Sequence, residues 1–88
     1  MTVLPITLLD VRTEEEVAES SVSNSLNIPH SEIMNRLDEI PKNGEIAVFC
    51  RSGRRSAIVA EVLTRLGYNT RDIMSFEIAK RVYKNPTK

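Results

Sequence analysis

The chain has one cysteine, one histidine, three glycines and no tryptophan. A lone cysteine, Cys50, excludes an internal disulfide framework, and with His30 as the only histidine it excludes zinc sites of the Cys-x-x-Cys type. A reducing, cytoplasmic setting follows as the expectation. No apolar run approaches the roughly 20 residues of a membrane span. The apolar start (Val3, Leu4, Ile6, Leu8, Leu9) has no leading Lys or Arg and no cleavage signature, so it does not read as a signal peptide. A mature exported form stripped of its leader stays open. Net charge is also missing: 12 basic residues balance 12 acidic ones. That argues against a dedicated nucleic-acid binder. Repeats, low-complexity linkers and a Walker A pattern are absent, and no motif calls for a metal or a cofactor.

What is there is ordinary for a globular protein. The 88 residues are 41% hydrophobic and 27% charged. That length predicts one domain over residues 1–88, able to fold without disulfides. The charge balance hides an asymmetry. Residues 1–50 carry three basic and nine acidic residues, whereas residues 51–88 carry nine basic and three acidic. A dipolar chain of this kind draws small anions toward one face.

Strand and helix signals alternate. Ile6–Val11 reads as a buried strand ending near Asp10, and Leu26-Asn27-Ile28 as a short strand stopped by Pro29. Between them Thr13 and Glu16 form a capping-box pattern, which predicts a helix over 14–20. Ser31 is the expected cap of a helix carrying Ile33, Leu37 and Ile40 on one face, ended by Pro41. Glu45–Phe49 is the near-continuous apolar run of a strand covered on both faces. Apolar positions Ile58, Val59, Val62, Leu63 and Leu66 repeat with the helical period, which predicts a helix over 56–66 with Gly67 beyond its end. A last strand is expected around 69–73, and a last helix capped by Ser75 and running through Tyr83. Phe76 and Tyr83, seven apart, are expected to pack that helix, and Met34 and Met74 to fill the core. The order predicts an α/β fold: a central parallel sheet of four to five short strands with helices on both faces. Ligands of such sheets bind beyond the carboxyl ends of the strands, where Cys50 falls.

A lone buried cysteine is most often a small hydrophobe. The sequence around Cys50 reverses that expectation. A buried strand delivers Cys50; the loop Arg51-Ser52-Gly53-Arg54-Arg55 follows; a helix then begins near Ser56. Loop amides of such a turn form an anion-binding nest, the helix N-terminus adds partial positive charge, and three arginines add full charges. All three favour a thiolate over a thiol. Ser56 reads either as the helix cap or as a hydrogen-bond donor to a bound anion. The spacing also separates chemistries. Cysteine-dependent phosphatases and arsenate reductases place an arginine six residues after the cysteine. Here that position is Ser56, and Arg55 arrives one residue early. A shorter ring of amides suits a smaller ligand, such as a sulfur carried on the cysteine.

Over residues 7–74 the chain resembles the single-domain rhodaneses, the thiosulfate sulfurtransferases, including the small phage-shock type. Leu9-Asp10-Val11-Arg12 with Glu15-Glu16-Val17 is similar to the family's first signature, Leu26-Asn27-Ile28-Pro29 to its second, Cys50–Ala57 to its active-site loop, and Leu66-Gly67-Tyr68 to the end of the helix that follows. The resemblance implies a two-step sulfur transfer. Cys50 takes the outer sulfur of thiosulfate as a persulfide, and a nucleophile, cyanide or a thiol that a protein can carry, then removes it. It implies Arg51 and Arg55 as holders of the dianionic donor, Arg54 as a third and more solvent-facing cation, Ser52, Gly53 and Ser56 as contributors to the cup, and Asp10 with Arg12 as structural support. No general base is needed for a thiol already ionised. His30 is expected to be a solvated first-turn residue, and the protein a monomer or weak dimer away from membranes and nucleic acid. Two segments depart from the family. Ser20–Ser25 replaces the usual Gly-His-Ile-Pro-Gly-Ala, and Met74-Ser75-Phe76-Glu77 replaces the usual Gly-Gly pair and tryptophan. A non-catalytic rhodanese-like module that binds a partner is the rival that the second departure favours.

Overall fold

The strand with the longest apolar run sits inside the sheet. In the computed structural model, which describes residues 6–83 and all of their side chains except those of Met74, Val82 and Tyr83, Ile46–Cys50 are wholly buried. They belong to β3 (Glu45–Cys50). It pairs in parallel with β1 (Ile6–Asp10) on one side and with β4 (Asn69–Ser75) on the other, and β2 (Leu26–Asn27) extends the sheet beyond β1. The spatial order is β2-β1-β3-β4 with every pairing parallel. Parallel strands need crossovers. These are α1 (Glu14–Glu19), the segment between β2 and β3, and α2 (Arg54–Arg65), with α3 (Phe76–Tyr83) following β4. The fold is α/β with a four-stranded parallel sheet, as the alternation predicts.

Strand parity divides the core between two faces. Ile46, Val48 and Cys50 pack with Leu9, Val11, Ile28, Ile33, Ile40, Val59, Leu63 and Tyr68, under α2. Ala47 and Phe49 pack with Val22, Ile73, Phe76 and Ala79, under α3. Cys50 therefore lies on the α2 face at the carboxyl end of the most buried strand.

Local chemistry explains most element ends. Thr13 caps α1 with both bonds of a capping box, Ser75 Oγ accepts from Ile78 N–H at the start of α3, and Gly67 takes φ 97° just past α2. Asn24 is left-handed at φ 65°, in the turn where the family pattern carries glycine. Asn is the residue that tolerates this conformation best after glycine, so the altered Ser20–Ser25 segment keeps its turn and keeps Val22 buried.

The 31–40 segment is not the expected α-helix. It forms two 3₁₀ turns, His30–Asn35 and Leu37–Glu39, and Ser31 caps neither. Eleven residues between Pro29 and Pro41 recover little of the cost of helix nucleation. The two tighter turns still bury Ile33 and Ile40, and Arg36 ties them together by bonds to Glu32 and Glu39. Met34 and Ile58 are exposed rather than core residues. The expected packing of Met74 and Tyr83 falls on side chains outside the described set.

Candidate active site

The helix after Cys50 begins earlier than its apolar period suggests. α2 starts at Arg54, and its N-cap is Gly53 at φ 102°, not Ser56. Gly53 alone in the loop lacks a Cβ and takes this left-handed turn at no steric penalty. The early start turns the amides of the loop and of the first helical turn toward the sulfur. Gly53 N–H donates to Cys50 Sγ at 2.9 Å and Ser56 N–H at 3.4 Å. Ser52 N–H and the Ser56 side chain add further hydrogen bonds.

The side chain of Cys50 is buried, and burial is the largest single influence on its pKa, pushing it up. The hydrogen bonds from Ser56, Gly53 and Ser52 together outweigh burial and hold the thiol below its ordinary value. A sulfur with apolar side chains below it and N–H groups above it is seated for a negative charge.

The arginines separate by partner. Arg55 donates both Nη atoms to the Glu16 carboxylate, at 3.0 and 3.2 Å. Its charge also acts on Cys50. Arg51 is 79% exposed and lies 3.9 Å from Glu16. Arg54 is exposed. Glu16 has a second set of donors in Thr13 N–H at 2.8 Å and Thr13 Oγ1 at 3.2 Å. Arg55 and these bonds lower its pKa to about 2 against a smaller opposing push from burial.

Asp10 and Arg12 form a buried, bidentate pair with contacts of 2.7–3.1 Å. The Arg12 guanidinium also donates to Ser20 O and lies 4.3 Å from the centre of the Phe76 ring. Asn27 Nδ2 donates to the carbonyls of Asp10 and Arg12 and so fixes the end of β1. Beside the loop opens a cleft of about 320 Å³, lined by Arg12, Glu16, Glu19, Ser20, Arg51, Phe76 and Glu77. His30 is exposed. Among the described residues no group of three or more His, Cys, Asp and Glu is placed to hold a metal ion.

The structure thus brings Cys50, Ser52, Gly53 and Ser56 together as one cup. Arg55 and Arg51 gather at Glu16, and Arg12 forms part of the cleft wall with Asp10 buried against it. Glu16, Phe76 and Asp72 are the site residues that sequence reasoning passed over. The capping box accounted for Glu16 without its arginine partner, and Phe76 was assigned only to helix packing. Asp72, which bonds Ser56, had no signal at all.

A parallel sheet that presents a cysteine in a cup of amides at a helix N-terminus defines an α/β domain built around a cysteine seated for a negative charge. Comparison with known sequences gives that class its family. The chain belongs to the rhodanese-like domain family, which matches residues 2–76. It is 36% identical over 63 residues to a sulfurtransferase of Allochromatium vinosum, covering 72% of this chain and 59% of that protein. It is also 36% identical over 62 residues to the thiosulfate sulfurtransferase PspE of Escherichia coli, covering 68% of this chain and 60% of PspE. The chain spans about three fifths of the length of these curated relatives. Among solved structures, a rhodanese-related protein of Thermoplasma volcanium superposes with a TM-score of 0.78 at 34% identity, over 89% of this chain and 80% of that one. A rhodanese from E. coli crystallised with anions gives 0.77 at 27% identity, over 84% and 91%.

Proposed function

We propose that the protein is a sulfurtransferase that carries a sulfane sulfur on Cys50. The observation that carries the reading is the seat of Sγ, which accepts N–H bonds from Gly53 and Ser56. In the first half-reaction the Cys50 thiolate attacks the outer sulfur of thiosulfate. A new S–S bond forms, the S–S bond of thiosulfate breaks, and sulfite leaves with that electron pair. The same cup then holds the charge of the cysteine persulfide. In the second half-reaction cyanide or a thiolate attacks the outer persulfide sulfur, and Cys50 leaves as the thiolate. The names of the sulfurtransferase of A. vinosum and of PspE support this chemistry.

The residues take roles within it. Exposed Arg51 meets the sulfonate end of the donor at the cleft, with Arg54 as a further cation. Arg55 acts mainly as a fixed positive charge, because Glu16 holds its guanidinium. Ser52, Gly53 and Ser56 form the cup, and Asp10 with Arg12 keeps the cleft wall in place. The acceptor is a thiol, free or carried by a protein, in a reducing compartment such as the cytoplasm, and the working unit is a monomer or weak dimer. A phosphatase or arsenate reductase is disfavoured because the loop is one residue short and Arg55 is engaged. A module that only binds a partner would not need an amide cup around its sole sulfur.

Intact mass after mixing with thiosulfate tests the proposal. Wild type gains one sulfur atom, cyanide removes it as thiocyanate, and Cys50→Ser gains none. Equal thiocyanate production by wild type and Cys50→Ser overturns the proposal, as does hydrolysis of a generic phosphate ester in place of sulfur transfer.

A further inference from the structure

Ser56 has one hydroxyl proton and more than one acceptor within reach. Its Oγ lies 2.8 Å from Asp72 Oδ1 and 3.2 Å from Gly53 O, and the same side chain hydrogen-bonds Cys50. One O–H donates one strong bond at a time. A bond to an ionised acceptor is roughly twice as strong as a neutral one, so Asp72 competes with the sulfur for that proton. Ser56 is wholly buried and Asp72 is exposed. The hydroxyl therefore links the closed cup to the surface of β4.

The register of the sheet brings Asp72 to this place. Asp72 pairs with Val48, which faces α2, as Cys50 does. The next pair along the ladder is Phe49 with Met74, so β4 carries one extra residue there. A bulge of this kind breaks the strand's parity and re-aims side chains, and bulges gather near active sites. Asp72 precedes the bulge, so ordinary alternation leaves it on the Cys50 side while Ile73 packs into the opposite core.

We infer that Asp72 is a positioning residue for Cys50, acting through the Ser56 hydroxyl. Asp72 draws the Ser56 hydroxyl's hydrogen bond away from the sulfur while the thiolate attacks and yields it when the same sulfur becomes the leaving group; the proton stays on the Ser56 oxygen throughout. The inference rests on the sulfur-transfer reading. A thiolate that keeps less hydrogen bonding is the better nucleophile, and one that gains it is the better leaving group. The other charges around the sulfur are Arg55 on α2, Glu16 on α1 paired to it, and the exposed Arg51 and Arg54 of the loop.

The test is the pH dependence of iodoacetamide alkylation of Cys50 in wild type, Asp72→Asn, Asp72→Ala, Ser56→Ala and the Ser56→Ala/Asp72→Ala pair. Asp72→Ala frees the hydroxyl for the sulfur, and the midpoint of alkylation moves to lower pH. Below the wild-type midpoint, alkylation is about tenfold faster, the size expected of one hydrogen bond to a charged group. Asp72→Asn keeps an acceptor and moves the midpoint less. In the Ser56→Ala background, loss of Asp72 has a much smaller effect, so the cycle shows coupling. An Asp72 effect of equal size with and without Ser56 makes Asp72 a bystander charge and overturns the inference. In single-turnover assays Asp72→Ala slows sulfur loading from thiosulfate and speeds discharge of the persulfide to a thiol. A change of the same sign in both steps also overturns it. Alkylation needs no sulfur donor, so a wild type that never loads sulfur defeats the proposed function while this cycle still reads the hydroxyl.

Discussion

Glu16 shows how one side chain serves a helix and an active-site loop together. Its Oε1 closes the capping box on Thr13, and both of its oxygens receive Arg55, which lies 39 residues further along the chain. The first contact holds the start of α1 and the second holds the start of α2 against it. The carboxyl titrates at about 2 in the fold, against an ordinary 4.5. A depressed carboxyl stabilises the native state fully above its unfolded pKa and loses that contribution as pH falls toward the folded one. Glu16→Gln keeps an oxygen for Thr13 and removes the charge. Urea unfolding of this variant near neutral pH is expected to show a loss of about 1 kcal/mol for a partly buried ion pair. The gap from wild type should shrink as pH falls from 4.5 toward about 2. A gap that stays constant over that window would mean that the carboxylate charge contributes nothing. The acid response should be specific to Glu16, because its partner Arg55 stays charged throughout.

At the scale of elements, the two left-handed glycines at the ends of α2 allow a controlled comparison. Gly67 has φ 97° and open space where a Cβ would sit, so Gly67→Ala meets backbone strain alone. The expected loss is about 1 kcal/mol, with unchanged alkylation of Cys50. Gly53 has φ 102° and donates to Sγ at 2.9 Å. Gly53→Ala therefore carries similar strain and also disturbs the cup. Its mark is a rise in the pH midpoint of Cys50 alkylation, measured beside the unfolding curve. Strain without that rise would mean that the Gly53 amide does not hold the thiolate. The same elements explain what could be read in advance. β3, α2 and the position of Cys50 were legible because apolar period, a single glycine and clustered arginines all pointed to one arrangement. The 31–40 segment was misread because Ile33, Leu37 and Ile40 reach the core from 3₁₀ turns as well as from an α-helix. The helix start was placed at Ser56 because a serine reads as a cap, whereas the loop closes on Gly53. Glu16 to Arg55 and Asp72 to Ser56 were illegible for a different reason. In each case the partner lies on another element, 39 and 16 residues away, and no residue type announces which element will sit beside it.

Over the whole molecule, the uneven charge of the two halves is partly cancelled by folding. The acidic first half meets the basic second half at Glu16 with Arg55 and Arg51, and at Glu45 with Arg71. A buried node then ties the end of β1 to the segment after α1 and to α3. Arg12 binds Asp10 at the end of β1, the Ser20 carbonyl after α1 and the ring of Phe76 on α3. Asn27 of β2 locks the same turn through two carbonyls. Removing one member of a buried pair leaves the other charge without its counter-ion and costs about 3–5 kcal/mol. That is a large share of the roughly 5–15 kcal/mol that holds a domain folded. Arg12→Ala is therefore expected to lower Tm by more than about 10 °C, since each kcal/mol moves a domain of this size by about 4–8 °C. Arg12→Lys keeps the charge but not the bidentate fork or the planar stack on Phe76, and should recover only part of the loss. In the temperature range where both variants remain folded, Cys50 alkylation should match wild type, because Arg12 acts on the frame and not on the sulfur. A variant that keeps its Tm but alters Cys50 reactivity would move Arg12 from the frame into the cup.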